Sequence, residues 1–122
     1  MDKLYCVLDG RRATLTQAFR VRIYQTYDDF AVTAITVPQG FTTDFASVPR
    51  AFWRIIPPWG EYNRAAVVHD FLYQQHRYNR KVADRIFLEL MTRLGVSWWK
   101  RRAMYSAVRS FGWVAWRNAK QS

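Results

Sequence analysis

The chain has 122 residues, a length that suits one domain and leaves too little for two independent cores, so the expectation is a single domain over 1–122 and not a multidomain enzyme. Half of the residues are hydrophobic and 17% are aromatic, which excludes the sparse apolar content of a disordered chain and provides for a sizeable core. Lys and Arg number 19 against 9 Asp and Glu, a formal charge of +10 that favours an anionic partner, whether nucleic acid, an acidic membrane surface or an acidic protein.

The first ten residues, MDKLYCVLDG, lack the charged and apolar regions of a signal peptide. No window reaches the roughly 18 apolar residues of a membrane span. Synthesis and folding in a cytoplasm are expected. Cys6 stands alone, which excludes an intramolecular disulfide and a cysteine zinc site. From Leu4 to Val37 the runs LYCVL, FRVRIY and FAVTAITV are rich in β-branched and aromatic residues and are parted by turn signals at Asp9-Gly10 and Asp28-Asp29. They predict a small antiparallel sheet. In the second run Phe19, Val21 and Ile23 alternate with Arg20 and Arg22, which gives one apolar and one cationic face.

A loop follows from Pro38 to Arg50, in which Ser47 is expected to cap a short helix through Trp53 and Ile55, with Pro49 in its first turn. Pro57-Pro58-Trp59-Gly60 ends that helix. Three longer helical segments are predicted at about 61–76, 80–94 and 97–118, the second closing on Gly95. The fold class is therefore α+β, with a β-rich part at about 4–37 and a helical part at about 47–118.

At 100° per residue, His69 groups with Ala65, Leu72 and His76 toward an apolar face, and Asp70 is turned about 100° away. On the next helix Asp84 falls among Phe87, Leu88 and Met91, on the stripe that faces the core. A buried carboxylate must find a partner or neutralise. The short link around Arg77 to Asn79 makes the two helices antiparallel neighbours, so His69 and Asp84 can face one another. A carboxylate on one imidazole nitrogen leaves the other as a base for water, which outlines a catalytic dyad. The plainer alternative is a structural pair, or an ion pair of Asp84 with Arg80 one turn earlier. Asp70 then serves as a solvated helix residue, and Asp44 binds its own backbone or caps the short helix.

His69 and His76 are two turns apart, about 10 Å along the axis, too far to share one zinc ion. For an oxygen-liganded ion such as calcium, Asp70, Asp44 and the Gly40 to Asp44 backbone offer part of a ligand set. The scattered glycines make no phosphate loop, and Ser47, Ser97, Ser106 and Ser110 lack a strand-to-helix nucleophile elbow. In the last helix Ala103, Met104, Ala107, Val108, Phe111, Val114 and Ala115 form one apolar stripe assigned to the core. Opposite run Trp98, Arg102, Tyr105, Arg109, Trp113 and Trp116. Interleaved tryptophan and arginine suit a protein interface, an anionic membrane or single-stranded nucleic acid, unless the domain covers this face itself.

From about Val37 to Trp116 the GF-T-D-x-ASVPR loop, the AA-V-HD-x-LY helix, the R-x-x-AD-x-I-F helix and the YxAVRxFG end resemble a family of small proteins of tailed phages and prophages, the thirteen-fifty-three family of unknown function. That resemblance implies a phage origin. More distantly, AAVVHDFLY followed by NRKVADRIF is similar to the active-site helices of secretory and parvoviral phospholipases. The similarity implies that His69 is general base for a water, Asp70 a calcium ligand, Asp84 the residue that orients the histidine, and Tyr73 a supporting hydrogen-bond partner.

The expectation is a virion accessory protein, made in the host cytoplasm and located at the phage tail or baseplate. Its partners are other phage structural proteins and anionic envelope lipid, and its His-Asp centre is hydrolase-like. The alternative is a non-enzymatic tail or assembly protein whose His69, Asp70, Asp84 and Asp44 form a structural polar network. Nucleic-acid binding rests on charge alone and is less favoured.

Overall fold

The computed structural model describes residues 3–10, 12–24, 33–53 and 63–119. The predicted turn at Asp28-Asp29, the end of the short helix at Ile55, its Pro57 to Gly60 stop and the first two residues of the helix predicted at 61–76 lie outside them.

Strand β1 (Cys6–Asp9) folds back antiparallel on β2 (Arg12–Leu15), with Asp9 opposite Arg12 and Cys6 opposite Leu15. Gly10 lies between them at φ 62°, a left-handed value that costs glycine no Cβ clash. Strand β3 (Phe19–Arg22) pairs with β4 (Ala34–Val37), Phe19 opposite Val37 and Val21 opposite Ile35. The two-residue strand β5 (Thr42–Thr43) joins the other edge of β2. Among the described residues the strands thus form two antiparallel ladders, β1-β2-β5 and β3-β4, where the sequence predicts one sheet from three runs. RATL and Thr42-Thr43 are too short and too polar to show a period of two, and their pairing partners define them. The alternation in β3 is as expected: Phe19 and Val21 are buried, as is Ile23 just beyond, while Arg20 and Arg22 face solvent.

The loop after β5 ends in a single 3-10 turn, Arg50–Phe52. Contrary to expectation no side chain caps this turn, and Ser47 is turned inward instead. Helix α1 (Asn63–Gln75) stops where His76 takes φ 52°. Helix α2 (Arg80–Arg93) starts on Asn79, whose side chain accepts the Val82 N–H at 2.8 Å. It ends in a Schellman turn: Gly95 has φ 80°, its N–H goes to the Thr92 carbonyl, and the Val96 N–H goes to that of Met91.

The single helix predicted for 97–118 is two helices, α3 (Trp98–Phe111) and α4 (Trp113–Ala119), parted at Gly112. The Arg80 guanidinium donates to the carbonyls of Val108 at 2.8 Å and Arg109 at 3.1 Å, so the last turn of α3 is drawn toward α2 just where a poor helix former stands. The break divides the apolar stripe assigned to the core. Met104, Ala107 and Val108 are buried, but Phe111 and Val114 are 61% and 46% exposed.

Helix α2 lies between α1 and α3, and α4 comes back onto α1. Their shared core joins Phe19, Val21, Ile35 and Val37 of the second ladder to Leu72, Ile86, Phe87, Leu90, Met104 and Val108 of the helices. Buried Glu89 of α2 accepts the Tyr24 N–H at 3.3 Å and pairs with Arg93, whose guanidinium also reaches the Arg22 carbonyl. These contacts fix the β3 end against the helices. Among the described residues no helix is long and apolar enough to cross a membrane.

Candidate functional site

Asp84 sits on the inward face of α2 with Val82, Ala83, Ile86 and Phe87, all buried. A lone carboxylate there is costly, and this one collects four donors. Its Oδ1 accepts from His69 Nε2 at 2.7 Å and from the Tyr73 hydroxyl at 2.6 Å. Its Oδ2 accepts from Arg109 Nη1 at 2.8 Å and Arg80 Nη1 at 3.4 Å. Burial alone pushes its pKa up, but the hydrogen bond and charge of His69, then the bonds from Tyr73 and Arg109, hold it below the ordinary carboxylate value. Burial, followed by the Asp84 charge and hydrogen bond, pushes the Tyr73 phenol upward, so Tyr73 remains a donor.

His69, on α1, is fully buried, stacked on Phe87 at 4.4 Å and tilted against Tyr73 at 4.3 Å. Its Nδ1 lies 3.0 Å from Ser47 Oγ. An ionised Asp84 only accepts, so in neutral His69 it is Nε2 that carries the proton and Nδ1 that accepts from the Ser47 hydroxyl. The nitrogen that the sequence left for a water is thus held by Ser47. Sequence reasoning assigned Ser47 to a cap because a helical wheel says nothing of a loop 22 residues away. The pointer in the sequence is that ASVPR and AAVVHD both fall within the stretch that resembles one family.

Asp70 is buried, not solvated: the strand and loop before α1 cover it. Its Oδ2 accepts from the Thr43 hydroxyl at 2.5 Å and Gln74 Nε2 at 3.1 Å, and its Oδ1 from the Ser47 N–H at 3.3 Å. Burial pushes its pKa above the ordinary value despite the Thr43 hydrogen bond. Asp44 is exposed and turns back on its own loop, accepting the Ala46 N–H at 3.0 Å. The two carboxylates do not fit a calcium ion. Those of Asp70 are spent on protein donors, and among the described residues no group of three or more His, Cys, Asp or Glu side chains is placed to hold a metal.

The tryptophan and arginine face of the last helical segment divides at Gly112. Trp98, Arg102 and Trp113 are exposed and Tyr105 is half-buried. Arg109 instead turns in to Asp84. Trp116 packs edge-on to Tyr73 at 5.1 Å and against the His76 ring at 3.8 Å, and its carbonyl accepts from His76 Nε2 at 2.9 Å. Beside Ser47 a groove of about 310 Å³ runs between the 46–49 loop and the α3-α4 junction, walled by Pro49, Phe111, Gly112 and Val114, with Asn118 also lining it.

The family model described as "Protein of unknown function (DUF1353)" matches residues 14–108. Two proteins of Sinorhizobium fredii are similar. Uncharacterized protein y4jT is 40% identical over 78 residues, 62% of this chain and 23% of that protein. Uncharacterized protein y4iH is 35% identical over 72 residues, 57% and 30% of the two chains. The matched region spans less than a third of the length of either relative. No solved structure matches.

Proposed function

The chain belongs to this family of unknown function, and on that premise we propose that it is a phage virion accessory protein, at the tail or baseplate, with a hydrolase-like centre that cleaves an ester of the host envelope. One observation carries the reading: Asp84 accepts from His69 Nε2 at 2.7 Å, which leaves Nδ1 as the basic atom, and the Ser47 hydroxyl lies 3.0 Å from that nitrogen. The partners of Asp84, namely His69 and Tyr73, are those that the resemblance to phospholipases implies. The net charge and the exposed Trp98, Trp99 and Trp113 suit an anionic lipid surface or a docking surface on another tail protein. The test is release of fatty acid from anionic phospholipid vesicles by the purified protein, beside His69→Ala. Release that is equal in calcium and in chelator, and absent in the folded variant, is the expected result. No release by the folded wild type overturns the reading.

The enclosure of His69 favours a second reading. Its ring is fully buried and both nitrogens are bonded to protein, which a structural polar network in a non-enzymatic assembly protein would also require. That reading expects His69→Ala to lower stability with no activity to lose.

A further inference from the structure

We infer that Ser47 is the nucleophile of this centre and that its substrate is an ester with an apolar acyl chain, bound in the groove beside the 46–49 loop. The inference rests on the hydrolase-like reading and deepens it. Three groups stand in line: the Ser47 hydroxyl, His69 Nδ1 at 3.0 Å, and Asp84 Oδ1 at 2.7 Å from His69 Nε2. This is the connectivity of nucleophile, base and orienting carboxylate, reached here through a loop and two helices, with no strand-to-helix elbow. Ser47 does not have to wander to serve it, because its own N–H is pinned to Asp70 Oδ1 and the Phe45 and Val48 side chains beside it are buried.

The groove supplies the substrate class. Its volume, about 310 Å³, accommodates a short run of an alkyl chain, and Pro49, Phe111, Val114 and Ala115 give it apolar walls. Asn118 contributes an amide to the lining. Ser47 is 1% exposed and borders the groove from the protein side, so the acyl carbon reaches Oγ when α4 lifts. Helix α4 is suited to that movement: it has seven residues, none of them buried, and joins α3 at a glycine.

The chemistry balances with water as the only co-reactant. Ser47 Oγ adds to the acyl carbon as its proton passes to His69 Nδ1, and Nε2–H stays on the Asp84 carboxylate. The C–O bond to the leaving alcohol breaks, and the alcohol takes the proton from Nδ1, leaving an acyl-serine. Water then gives a proton to Nδ1 and its oxygen to the acyl carbon. The C–Oγ bond breaks, Oγ regains the proton, and the carboxylic acid departs.

The experiment is covalent labelling of the intact chain by an alkyl fluorophosphonate, read by intact mass and peptide mapping, beside hydrolysis of a p-nitrophenyl acyl ester. One phosphonyl adduct on Ser47 is expected, formed about a hundredfold more slowly in His69→Gln. Ester hydrolysis should vanish in Ser47→Ala. The site of the adduct is read on the wild type and does not depend on whether a variant folds. An adduct on Ser47 without vesicle lipolysis sustains the nucleophile and overturns only the envelope-lipid assignment. Ester hydrolysis that survives in Ser47→Ala, with no adduct on Ser47, overturns the inference while the hydrolase-like reading stands with water as nucleophile. Neither adduct nor hydrolysis from a protein with a cooperative thermal transition overturns both.

Discussion

Arg109 Nη1 of α3 stands 2.8 Å from Asp84 Oδ2 of α2, an ion pair whose carboxylate is fully buried while the arginine side chain is one-third exposed. The pair ties the helix that the sequence presents as an outer face to the centre of the molecule. Arg109→Met keeps the stem and removes the charge, and Arg80 remains on the same oxygen. The expected loss is therefore about 1–2 kcal/mol, below that of breaking an isolated buried pair. Urea unfolding of the variant against wild type measures it.

Asp84→Asn should cost more, about 3–5 kcal/mol, because the four donors around the carboxylate lose a charged acceptor at once. Tyr73→Phe removes one of those donors and leaves His69 and both arginines in place, so about 1–3 kcal/mol is expected. Chemical denaturation of the two variants should keep that order.

The two buried aspartates respond to acid in opposite directions. Asp84 is depressed in the folded protein, so it binds fewer protons than in the unfolded chain, and its contribution is full above the ordinary value of about 3.9 and is lost as pH falls through its lower folded value. Asp70 is raised, so the folded state takes up a proton first, and its contribution increases as pH falls from its raised value toward the ordinary one. Melting temperature against pH should show this in two variants. Asp70→Asn removes the gain on mild acidification, and Asp84→Asn flattens the loss at the acid end.

Gly112→Ala sets helix propensity against packing. Alanine in an open helix gains about 1 kcal/mol over glycine. Here a Cβ would run into the Val108 carbonyl oxygen and lie 2.5 Å from the Tyr73 hydroxyl, which is itself bound to Asp84. Neither neighbour is free to retreat, so a net loss of about 1–3 kcal/mol is expected in thermal unfolding.

Trp116→Ala should detach α4 from α1 without touching the Ser47 to Asp84 line, since its ring contacts are with Tyr73 and His76. Faster amide exchange in 113–119 and faster phosphonylation of Ser47 are expected, with a stability loss of about 1–3 kcal/mol for a half-buried ring. Unchanged labelling in a variant with loosened α4 would show that α4 does not control entry.

The helical period and the short link after α1 made the His69 and Asp84 pairing legible in the sequence, because both residues lie on apolar stripes of adjacent helices. The same wheel misplaced Arg109, Trp116, Phe111 and Val114, since it continues a straight helix through Gly112 and cannot register the Arg80 guanidinium drawing on the α3 carbonyls. Asp70 read as solvated because its angle points away from α2, yet a loop rather than a helix covers that side. Ser47 and the strands β2 and β5 depend on contacts distant in sequence, and nothing in a short window encodes them.

The donors of Asp84 come from three helices: His69 and Tyr73 from α1, Arg80 from its own α2, and Arg109 from α3. Without α3 the carboxylate keeps three of its four donors but loses the shorter of its two arginine contacts and the helix that covers α2, so an α1-α2 fragment holds a charge that is less well compensated and less well covered. The acid at the centre of the site thereby couples the helices into one all-or-none unit, and a chain ending at Gly95 should lose the structure of α1 and α2 together rather than keep them as a hairpin.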